Sequence, residues 1–340
     1  MNQEKNLQGV FHGVHDIRVD ESSRPKNTDD GVIIKVSKAG ICGSDIHFYH
    51  SEIVPPGSVL GHEFTGVINE VGQNVKGLSP GMRVVVNPMV NGIGLGLKPG
   101  GFANYIHVEN AARNVNVIPI PENISKEQGA LIEPLTVGYA GVNLVAVKKE
   151  TNAIVFGAGT IGLATIASLA SKGVKTIIAS DVSDKRLEKA RELGATITFN
   201  PSSAKMGLQD FLIEKLGSTP SLFGMELPNL DAAFECSGVP SVFIDALNGL
   251  RIKGKLIILA TYPQKIEIDI SHLVLQKALT VQGSFAYTSE EMIQVIDLVS
   301  SGKVDLTSIV THEYALKELP QAFETQADSQ KSIKVLVAIS

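Results

Sequence analysis

The stretch AIVFGAGTIGLATIA, residues 153–167, passes from an apolar run through a glycine-rich turn into a second, longer apolar segment. A short apolar run followed by a segment with helical periodicity indicates a β-strand that leads into an α-helix. The helical pattern continues to Gly173, and glycine is typical of the position just after a helix. This stretch therefore predicts one βα unit.

The turn between strand and helix carries glycines at 157, 159 and 162, in the pattern G-x-G-x-x-G with Thr160 and Ile161 between the last two. In a dinucleotide site the first glycine permits the tight turn, the second lets the backbone approach a pyrophosphate, and the third allows close helix packing. The phosphates then lie at the positive end of the helix. Alone the pattern is often only a turn, but here the strand and helix that it requires are both predicted.

Asp181 follows the next predicted strand, at the spacing of about 20 residues where an acidic side chain accepts hydrogen bonds from an adenosine ribose. A carboxylate there would also repel a 2′-phosphate, so we expect NAD rather than NADP. The alternative is that Asp181 only caps the following helix.

Strand and helix patterns continue to alternate beyond this point. Apolar strand runs occur at 176–180, 197–200, 231–235, 255–261 and 279–285, with helix patterns at 183–195 and 241–254. Strands that alternate with helices assemble into parallel sheets. We therefore predict an α/β fold, a doubly wound (Rossmann) parallel sheet of six strands.

The first 120 residues have a different pattern, with short strand runs separated by Gly and Pro turns. These runs lie at 31–40, 64–72, 82–88, 103–108 and 116–121, and their spacing predicts a β-rich barrel or sandwich. A chain of 340 residues is long for one core, so two domains are expected. We assign 139–286 to an NAD-binding domain and 1–138 with 287–340 to the β-rich domain, since a strand pattern returns at 332–340.

The composition restricts the possible partners. A formal net charge of −5 without a Lys/Arg block argues against a nucleic-acid surface. The amino-terminal segment is polar, and no apolar run approaches the roughly 20 residues of a membrane span. We expect a soluble, cytoplasmic protein that acts on a small molecule.

Four residues provide ligand types that Zn²⁺ prefers: Cys42, His62, Glu63 and Glu133. A catalytic zinc takes three protein ligands and keeps one exchangeable position. Spacing alone leaves alternatives open, because a free cysteine often fills a core, His62 could be a structural histidine and Glu63 a solvated charge. Glu133 precedes Pro134, so it could equally lie at a helix start without touching a metal.

The chain resembles the zinc-dependent medium-chain dehydrogenase/reductase superfamily, which includes the alcohol dehydrogenases. The motifs AGICGSDIH, GHEFTGVINEVG, GGFANY, EPLTVGY, GAGTIG and GSFAYT occur in the superfamily's order along nearly the whole chain. Glu133-Pro134-Leu135 stands where alcohol dehydrogenases usually have a second cysteine, which is similar to the sorbitol and 2,3-butanediol dehydrogenase branch. Residues 283–316 are most similar to the butanediol members.

The resemblance implies a GroES-like catalytic domain in which Cys42, His62 and one or both of Glu63 and Glu133 hold a catalytic zinc. Ser44 and His47 match the proton-relay positions, and Asp45 matches an acid that orients the ligand histidine. Glu63 would also act during turnover, by exchanging with Glu133. We assign the cofactor site to Gly157, Gly159, Thr160, Ile161, Gly162, Asp181, Arg186, Ser237, Ser284 and Phe285.

One departure from the superfamily is large. Its usual lobe with four cysteines for a structural zinc is replaced here by residues 87–101, which contain no cysteine. The other cysteine, Cys236, belongs to the predicted cofactor domain. Because a closed structural site needs four ligands, we expect one catalytic zinc per chain and no structural zinc.

These observations predict a zinc-dependent oxidoreductase that transfers hydride between NAD(H) and a secondary alcohol, vicinal diol or polyol and its ketone, as a homodimer or homotetramer. Two other functions remain open at this point. One is a zinc-free quinone or enoyl reductase of the same superfamily. The other is a non-enzymatic NAD(H)-binding protein of crystallin type. Phe48, Tyr49 and His50 either line the substrate pocket or are packed aromatics.

Overall fold

The computed structural model describes residues 5–221 and 224–339. The chain forms two compact units, Met1–Pro134 with Tyr287–Ser340, and Leu135–Ala286. The predicted domain boundaries lie between residues 138 and 139 and between residues 286 and 287. The first predicted boundary and the first observed one, after Pro134, both fall within the helix Lys126–Asn143. The functions assigned to the two domains remain predictions.

The second unit alternates strands and helices. Its elements are β9 (Asn152–Phe156), α4 (Thr160–Ser171), β10 (Thr176–Ser180), α5 (Asp184–Glu192), β11 (Ile197–Phe199), α6 (Leu208–Leu216), β12 (Ser218–Pro220), β13 (Glu226–Pro228), β14 (Leu230–Glu235), α7 (Pro240–Gly249), β15 (Leu250–Ile258), a π-helix (Ser271–Leu275) and β16 (Thr280–Gly283).

Six of these strands form one sheet in the order β11-β10-β9-β14-β15-β16, and every neighbouring pair is parallel. The predicted doubly wound six-stranded sheet is confirmed. If the six strands of this sheet are numbered in chain order, they lie in the order 3-2-1-4-5-6, which is that of dinucleotide-binding sheets. In such sheets ligands bind at the carboxyl ends of the strands where the order reverses. Here the reversal lies between β9 and β14, and the glycine loop follows β9.

The first unit is rich in strands. Its elements are β1 (Lys5–Gly13), β2 (Asp16–Ser23), β3 (Val32–Gly40), α1 (Gly43–Tyr49), β4 (Ser58–Val59), β5 (Glu63–Val71), β6 (Arg83–Val86), α2 (Pro88–Asn91), β7 (Tyr105–Val108), β8 (Val117–Pro119), the start of α3 (Lys126–Asn143), α8 (Ser289–Ser300), a 3₁₀ turn (Thr307–Ile309), β17 (Val310–Ala315), a 3₁₀ turn (Leu316–Glu318), α9 (Leu319–Ala327) and β18 (Lys334–Ala338).

Two sheets organise this unit. One has the order β2-β1-β4, and the other has the order β17-β18-β3-β5-β6-β8, with β7 also paired to β3. Strand β18 therefore rejoins the amino-terminal strands, as the sequence predicted for the last apolar run. The side chains of β3, β5 and β18 contribute to one apolar core that includes Ile34, Ile68 and Val337. This core fixes the strand ends that carry the candidate metal ligands.

The predicted helix at 241–254 is too long. Helix α7 ends at Gly249, and β15 begins at Leu250. The apolar side chains after residue 250 are compatible with either a helix or a strand. The buried ammonium group of Lys277 donates to the carbonyls of Leu247, Asn248 and Leu250. Leu247 and Asn248 lie in the last turn of α7, so these bonds satisfy carbonyls that the end of a helix leaves free and Lys277 caps α7.

None of the helices in the described ranges has the length and apolar character needed to cross a membrane.

Candidate active site

Cys42 is held at the amino-terminal end of α1, two residues after the end of β3. It is the N-cap residue, and its backbone N–H donates to Oδ2 of Asp45 across 2.9 Å. Asp45 is completely buried in the first turn of α1. Because aspartate in a first helical turn accepts backbone donors well, this short helix fixes the position of the thiol.

His62 and Glu63 reach the same place from β5. Strand β5 pairs antiparallel with β3, and Glu63 stands opposite Gly40, two residues before Cys42. The Nδ1 of His62 lies 3.6 Å from Oδ1 of Asp45, and its Nε2 lies 3.5 Å from the Oγ of Ser44. The pairing of two strands thus brings together residues that are twenty positions apart in the sequence.

Cys42, His62 and Glu63 form a group that fits a metal ion. One ligand atom from each residue lies within 4.8 Å of the others, and His62 and Glu63 are buried. The Nδ1 of His62 is buried without a hydrogen-bond partner and faces Asp45, which leaves Nε2 as the nitrogen that could bind a metal. Thiolate, imidazole and carboxylate are zinc ligands, so the donor chemistry and the spacing both fit Zn²⁺.

The charge around His62 agrees with a cation site. Burial lowers the pKa of His62, but the negative charges of Cys42 and Asp45 outweigh burial and raise it well above the ordinary value. The same negative charges attract a metal cation, which would take the place of the proton on the imidazole.

Each of the two glutamates has its own buried partner. The ammonium group of Lys334 forms an ion pair with Glu63 and donates to the carbonyl of Ile41 across 2.9 Å. Glu133 accepts a hydrogen bond of 2.7 Å from the hydroxyl of Tyr287. Burial raises the pKa of Glu133 to about 7, and the charge of Glu63 acts in the same direction.

Glu133 does not lie at a helix start. It is in the middle of α3, and Pro134 follows it inside the same helix. The helix-start alternative is therefore wrong. Glu133 is not part of the group formed by Cys42, His62 and Glu63. Its assignment as a metal ligand stays a prediction.

The predicted relay residues lie on α1. Ser44 is half-buried beside His62, and His47 is exposed in the last turn. Residues three apart share one helix face, so both side chains point to the same side of α1. Tyr49 is buried against Phe323 and belongs to the core, and the partly buried Phe48 packs against the same core.

The glycine loop has the conformation that its sequence requires. Gly157 has φ +85°, and Gly159 is the N-cap of α4, so Thr160 and Ile161 form the first turn. A Cβ on Gly162 would overlap the carbonyl oxygen of Gly157. Glycine is thus needed at 157 for backbone geometry and at 162 for contact between helix and loop.

Asp181 lies just after β10 and contacts this loop. Its Oδ2 accepts the N–H of Ala158 across 2.7 Å, and its Oδ1 accepts the N–H of Ser183 across 2.8 Å. A carboxylate oxygen has two acceptor sites, so each oxygen keeps capacity for a ligand hydroxyl. Arg186 reaches the same loop, since its Nη1 is 3.8 Å from the position of a Cβ on Gly159.

The remaining predicted cofactor residues fall in two places. Ser237 follows β14 and lies against Gly157, whose Cβ position would be 3.0 Å from the Ser237 Cα. Ser284 and Phe285 follow β16, which β15 separates from β14, and Phe285 is exposed. The structure thus groups the first set of residues around the glycine loop and leaves Ser284 and Phe285 apart.

Two family models match the chain. Residues 28–122 match the alcohol dehydrogenase GroES-like domain, and residues 160–301 match the zinc-binding dehydrogenase domain. The (R,R)-butanediol dehydrogenase of Bacillus subtilis (strain 168) is 31% identical, over 96% of this chain and 98% of the relative. The chain belongs to the zinc-binding dehydrogenase family.

This zinc-binding dehydrogenase has other relatives of the same kind. D-xylulose reductase of Saccharomyces cerevisiae (strain ATCC 204508 / S288c) is 32% identical, over 93% of the chain and 92% of the relative. The crystal structure of 2R,3R-butanediol dehydrogenase from Bacillus subtilis superposes with a TM-score of 0.87 at 30% identity, covering 98% of this chain and 100% of that one. A short chain alcohol dehydrogenase from Escherichia coli CFT073 in complex with NADH gives 0.85 at 25% identity, covering 99% and 100%.

These matches confirm the superfamily, the GroES-like domain and the butanediol and sorbitol branch. The dehydrogenase is an enzyme of the alcohol and polyol type. Sequence reasoning missed Tyr287 and Lys334 as partners of the two glutamates. A lysine inside the apolar run IKVLVAI was a usable signal, because a charged residue in a buried strand needs a buried partner.

Proposed function

We propose that this dehydrogenase transfers hydride between NAD(H) and a secondary alcohol, vicinal diol or polyol and the corresponding ketone. The observation that carries the proposal is the group of half-buried Cys42 with buried His62 and Glu63, whose ligand atoms lie within 4.8 Å of one another. The relatives named butanediol dehydrogenase and D-xylulose reductase support the substrate class.

Cys42, His62 and Glu63 would hold one zinc, with Glu133 as a second carboxylate. When bound, Zn²⁺ makes a coordinated hydroxyl more acidic and polarises a carbonyl. Asp45, whose Oδ1 lies 3.6 Å from Nδ1 of His62, would orient the ring and fix the tautomer of a ligand histidine. Lys334 balances the charge of Glu63 and is itself anchored on Ile41.

Ser44 and His47 would be the chain's part of the proton path. The Ser44 hydroxyl, half-buried beside His62, would take the substrate proton as it releases its own, and His47, whose ring is exposed, would deliver a proton to solvent. Histidine suits this role, since imidazole titrates near neutral pH.

The second unit would bind the nicotinamide cofactor at the carboxyl ends of β9 and β14. The glycine loop leaves its backbone open to a pyrophosphate, and Asp181 keeps acceptor capacity for ribose hydroxyls. A carboxylate at this position repels a 2′-phosphate, so we propose NAD as the preferred cofactor.

The metal-ligand group separates this proposal from the two alternatives. A zinc-free quinone or enoyl reductase, or a non-enzymatic NAD(H)-binding protein, has no need for a thiol, an imidazole and a carboxylate so close together. Elemental analysis of the purified protein tests this directly, and we expect one zinc per chain. Two tightly bound zincs, or none, would contradict the proposed site.

A substrate screen tests the reaction. We expect NAD-dependent oxidation of acyclic secondary alcohols, vicinal diols or polyols, which chiral product analysis would then refine. His62→Ala should lose zinc and turnover while its NADH dissociation constant stays near the wild-type value. His107→Ala, a histidine on β7 outside the metal group, is the matched control. Turnover by the zinc-free His62→Ala variant would refute a zinc-dependent mechanism.

We also propose that the enzyme is cytoplasmic and forms a homodimer or homotetramer. Light scattering coupled to size-exclusion chromatography measures the assembly, and a monomer at micromolar concentration would contradict it.

A further inference from the structure

Glu235 is a completely buried carboxylate that lies outside the metal group. It is the last residue of β14. It accepts hydrogen bonds from the backbone N–H groups of Ser237 (2.8 Å) and Gly238 (3.2 Å), and from the hydroxyls of Ser237 and Tyr262. Within residues 5–221 and 224–339 no cation pairs with it.

A buried carboxylate without a cation is unfavourable unless hydrogen bonds satisfy it. Glu235 meets this condition through four donor groups. Burial, and then the hydrogen bond to Glu235 and the charge of Glu235, raise the pKa of Tyr262, so its hydroxyl remains a donor. An apolar residue would fill this position without the cost of removing a carboxylate from water. We therefore infer that the carboxylate of Glu235 does more than fill the core.

Glu235 contacts the turn formed by Cys236, Ser237 and Gly238. Gly238 has φ +69°, and a Cβ there would lie 2.5 Å from the carbonyl oxygen of Thr261. The turn therefore has one conformation, which Glu235 fixes through two backbone N–H groups. The backbone N–H of Cys236 also donates to the carbonyl of Phe156 across 2.9 Å, joining the turn to the end of β9.

The turn forms one wall of the glycine loop. A Cβ position on Gly157 lies 3.0 Å from both Cα and N of Ser237. On the other side of the loop, Asp181 accepts the N–H of Ala158. The loop is thus held between two carboxylates, Asp181 after β10 and Glu235 at the end of β14, and these strands flank β9 in the sheet.

We propose that Glu235, held by Tyr262, is a positioning residue for the dinucleotide. It fixes the Ser237–Gly238 turn before the cofactor arrives, so that little ordering of this turn opposes binding. The inference rests on the proposed cofactor site in this unit. Glu235 does not touch the cofactor in this role, and it acts through the turn.

The test compares Glu235→Gln and Tyr262→Phe with wild-type enzyme. Glutamine keeps the shape of the side chain but replaces one acceptor oxygen by a donor, so the turn loses part of its support. We expect the NADH dissociation constant, measured by the fluorescence of bound NADH, to rise at least tenfold for Glu235→Gln and about threefold for Tyr262→Phe. The KM for NADH should rise accordingly, while kcat at saturating NADH and the zinc content stay near wild type.

Glu192→Gln on α5 is the matched control, since its carboxylate is exposed and pairs with Lys189. A lower melting temperature with an unchanged NADH dissociation constant would mean that Glu235 only stabilises the fold, and would overturn the proposal. If Glu235→Gln does not fold, unchanged NADH binding by Tyr262→Phe overturns it instead. Wild-type enzyme that fails to bind NADH would refute the proposed cofactor site itself.

Discussion

Tyr287 donates its hydroxyl hydrogen to Oε1 of Glu133 across 2.7 Å, and both side chains are buried. The bond joins α3 to the residue that begins the returning segment of the first unit. Burial, and then the charge of Glu133, raise the pKa of Tyr287 well above its ordinary value, so it stays a donor. The phenol therefore orients a carboxylate beside the metal group.

Replacing Tyr287 by phenylalanine should weaken zinc retention about tenfold, because loss of a partner that orients a ligand typically costs 10–100-fold in metal affinity or activity. Competition with a chelator, followed by metal analysis, measures the change. Tyr314→Phe is the control, since the Tyr314 hydroxyl pairs with Thr325 away from the site. Equal zinc affinity in both variants would remove Glu133 from the metal site.

Two glycines of the cofactor loop should respond differently to alanine. Gly162→Ala places a methyl group on the carbonyl of Gly157, so we expect a lower melting temperature and a destabilisation of about 3 kcal/mol. At Gly159 the nearest atom to a new Cβ is 3.8 Å away and φ is −76°, so the fold should be retained. Gly159→Ala should nevertheless weaken NADH binding, because the methyl group blocks the approach of the pyrophosphate. Thermal melts and NADH titrations of both variants decide this, and equal melting temperatures would contradict the distinction.

Asp181→Ala should reduce discrimination between NAD and NADP about tenfold. The change removes a ribose acceptor, worth about 1–3 kcal/mol for a charged group, together with the repulsion of a 2′-phosphate. The support of Ala158 is also lost, which weakens both cofactors alike. Dissociation constants for NADH and NADPH measure the ratio, with Asp184→Asn on α5 as control. An unchanged ratio would locate the cofactor preference elsewhere.

Glu127→Gln should lower stability in a pH-dependent way. A hydrogen bond from buried Lys38 lowers the pKa of Glu127 to about 2, and Glu313 accepts from the same ammonium group across 2.8 Å. A carboxyl whose pKa is lower in the folded state contributes stability above its unfolded pKa, and this is lost as pH falls towards 2.

We therefore expect Glu127→Gln to cost about 1 kcal/mol at pH 7, since the carboxylate is partly exposed to solvent. The difference from wild type should shrink between about pH 4.5 and pH 2. Urea unfolding across this range measures it, with Glu122→Gln, whose carboxylate is 87% exposed, as control. A difference that stays constant with pH would assign the stability loss to packing rather than to charge.

The sequence predicted the parts of the fold that local pattern determines. The glycine spacing at 157, 159 and 162 and the strand periodicity led to the six-stranded sheet. The end of α7 was missed although Gly249 is itself a local signal for a helix end. The bonds from Lys277 that cap this end could not be predicted from local periodicity.

The candidate site also contains some residues that the sequence predicted and some that it did not. Cys42, His62 and Glu63 were identified from residue type and resemblance, and β3–β5 pairing brings them together. Tyr287 is 154 positions from Glu133, and Lys334 is 293 positions from Ile41. Local periodicity does not identify partners at such separations, although the lysine within the apolar run 333–339 indicated that Lys334 needs a buried partner.

The pairing of β18 with β3 has a consequence for biosynthesis. A ribosome releases Cys42, His62 and Glu63 early, then the whole of the second unit, and only afterwards Lys334. Domains generally fold as units during synthesis, so the second unit can form while the first still lacks a strand. Until β18 emerges from the ribosome, Lys334 is not available to pair with Glu63. Cys42 and His62 then lie beside a sheet that still lacks one strand. We therefore expect metal loading to follow translation of the last strand rather than to accompany that of the ligands.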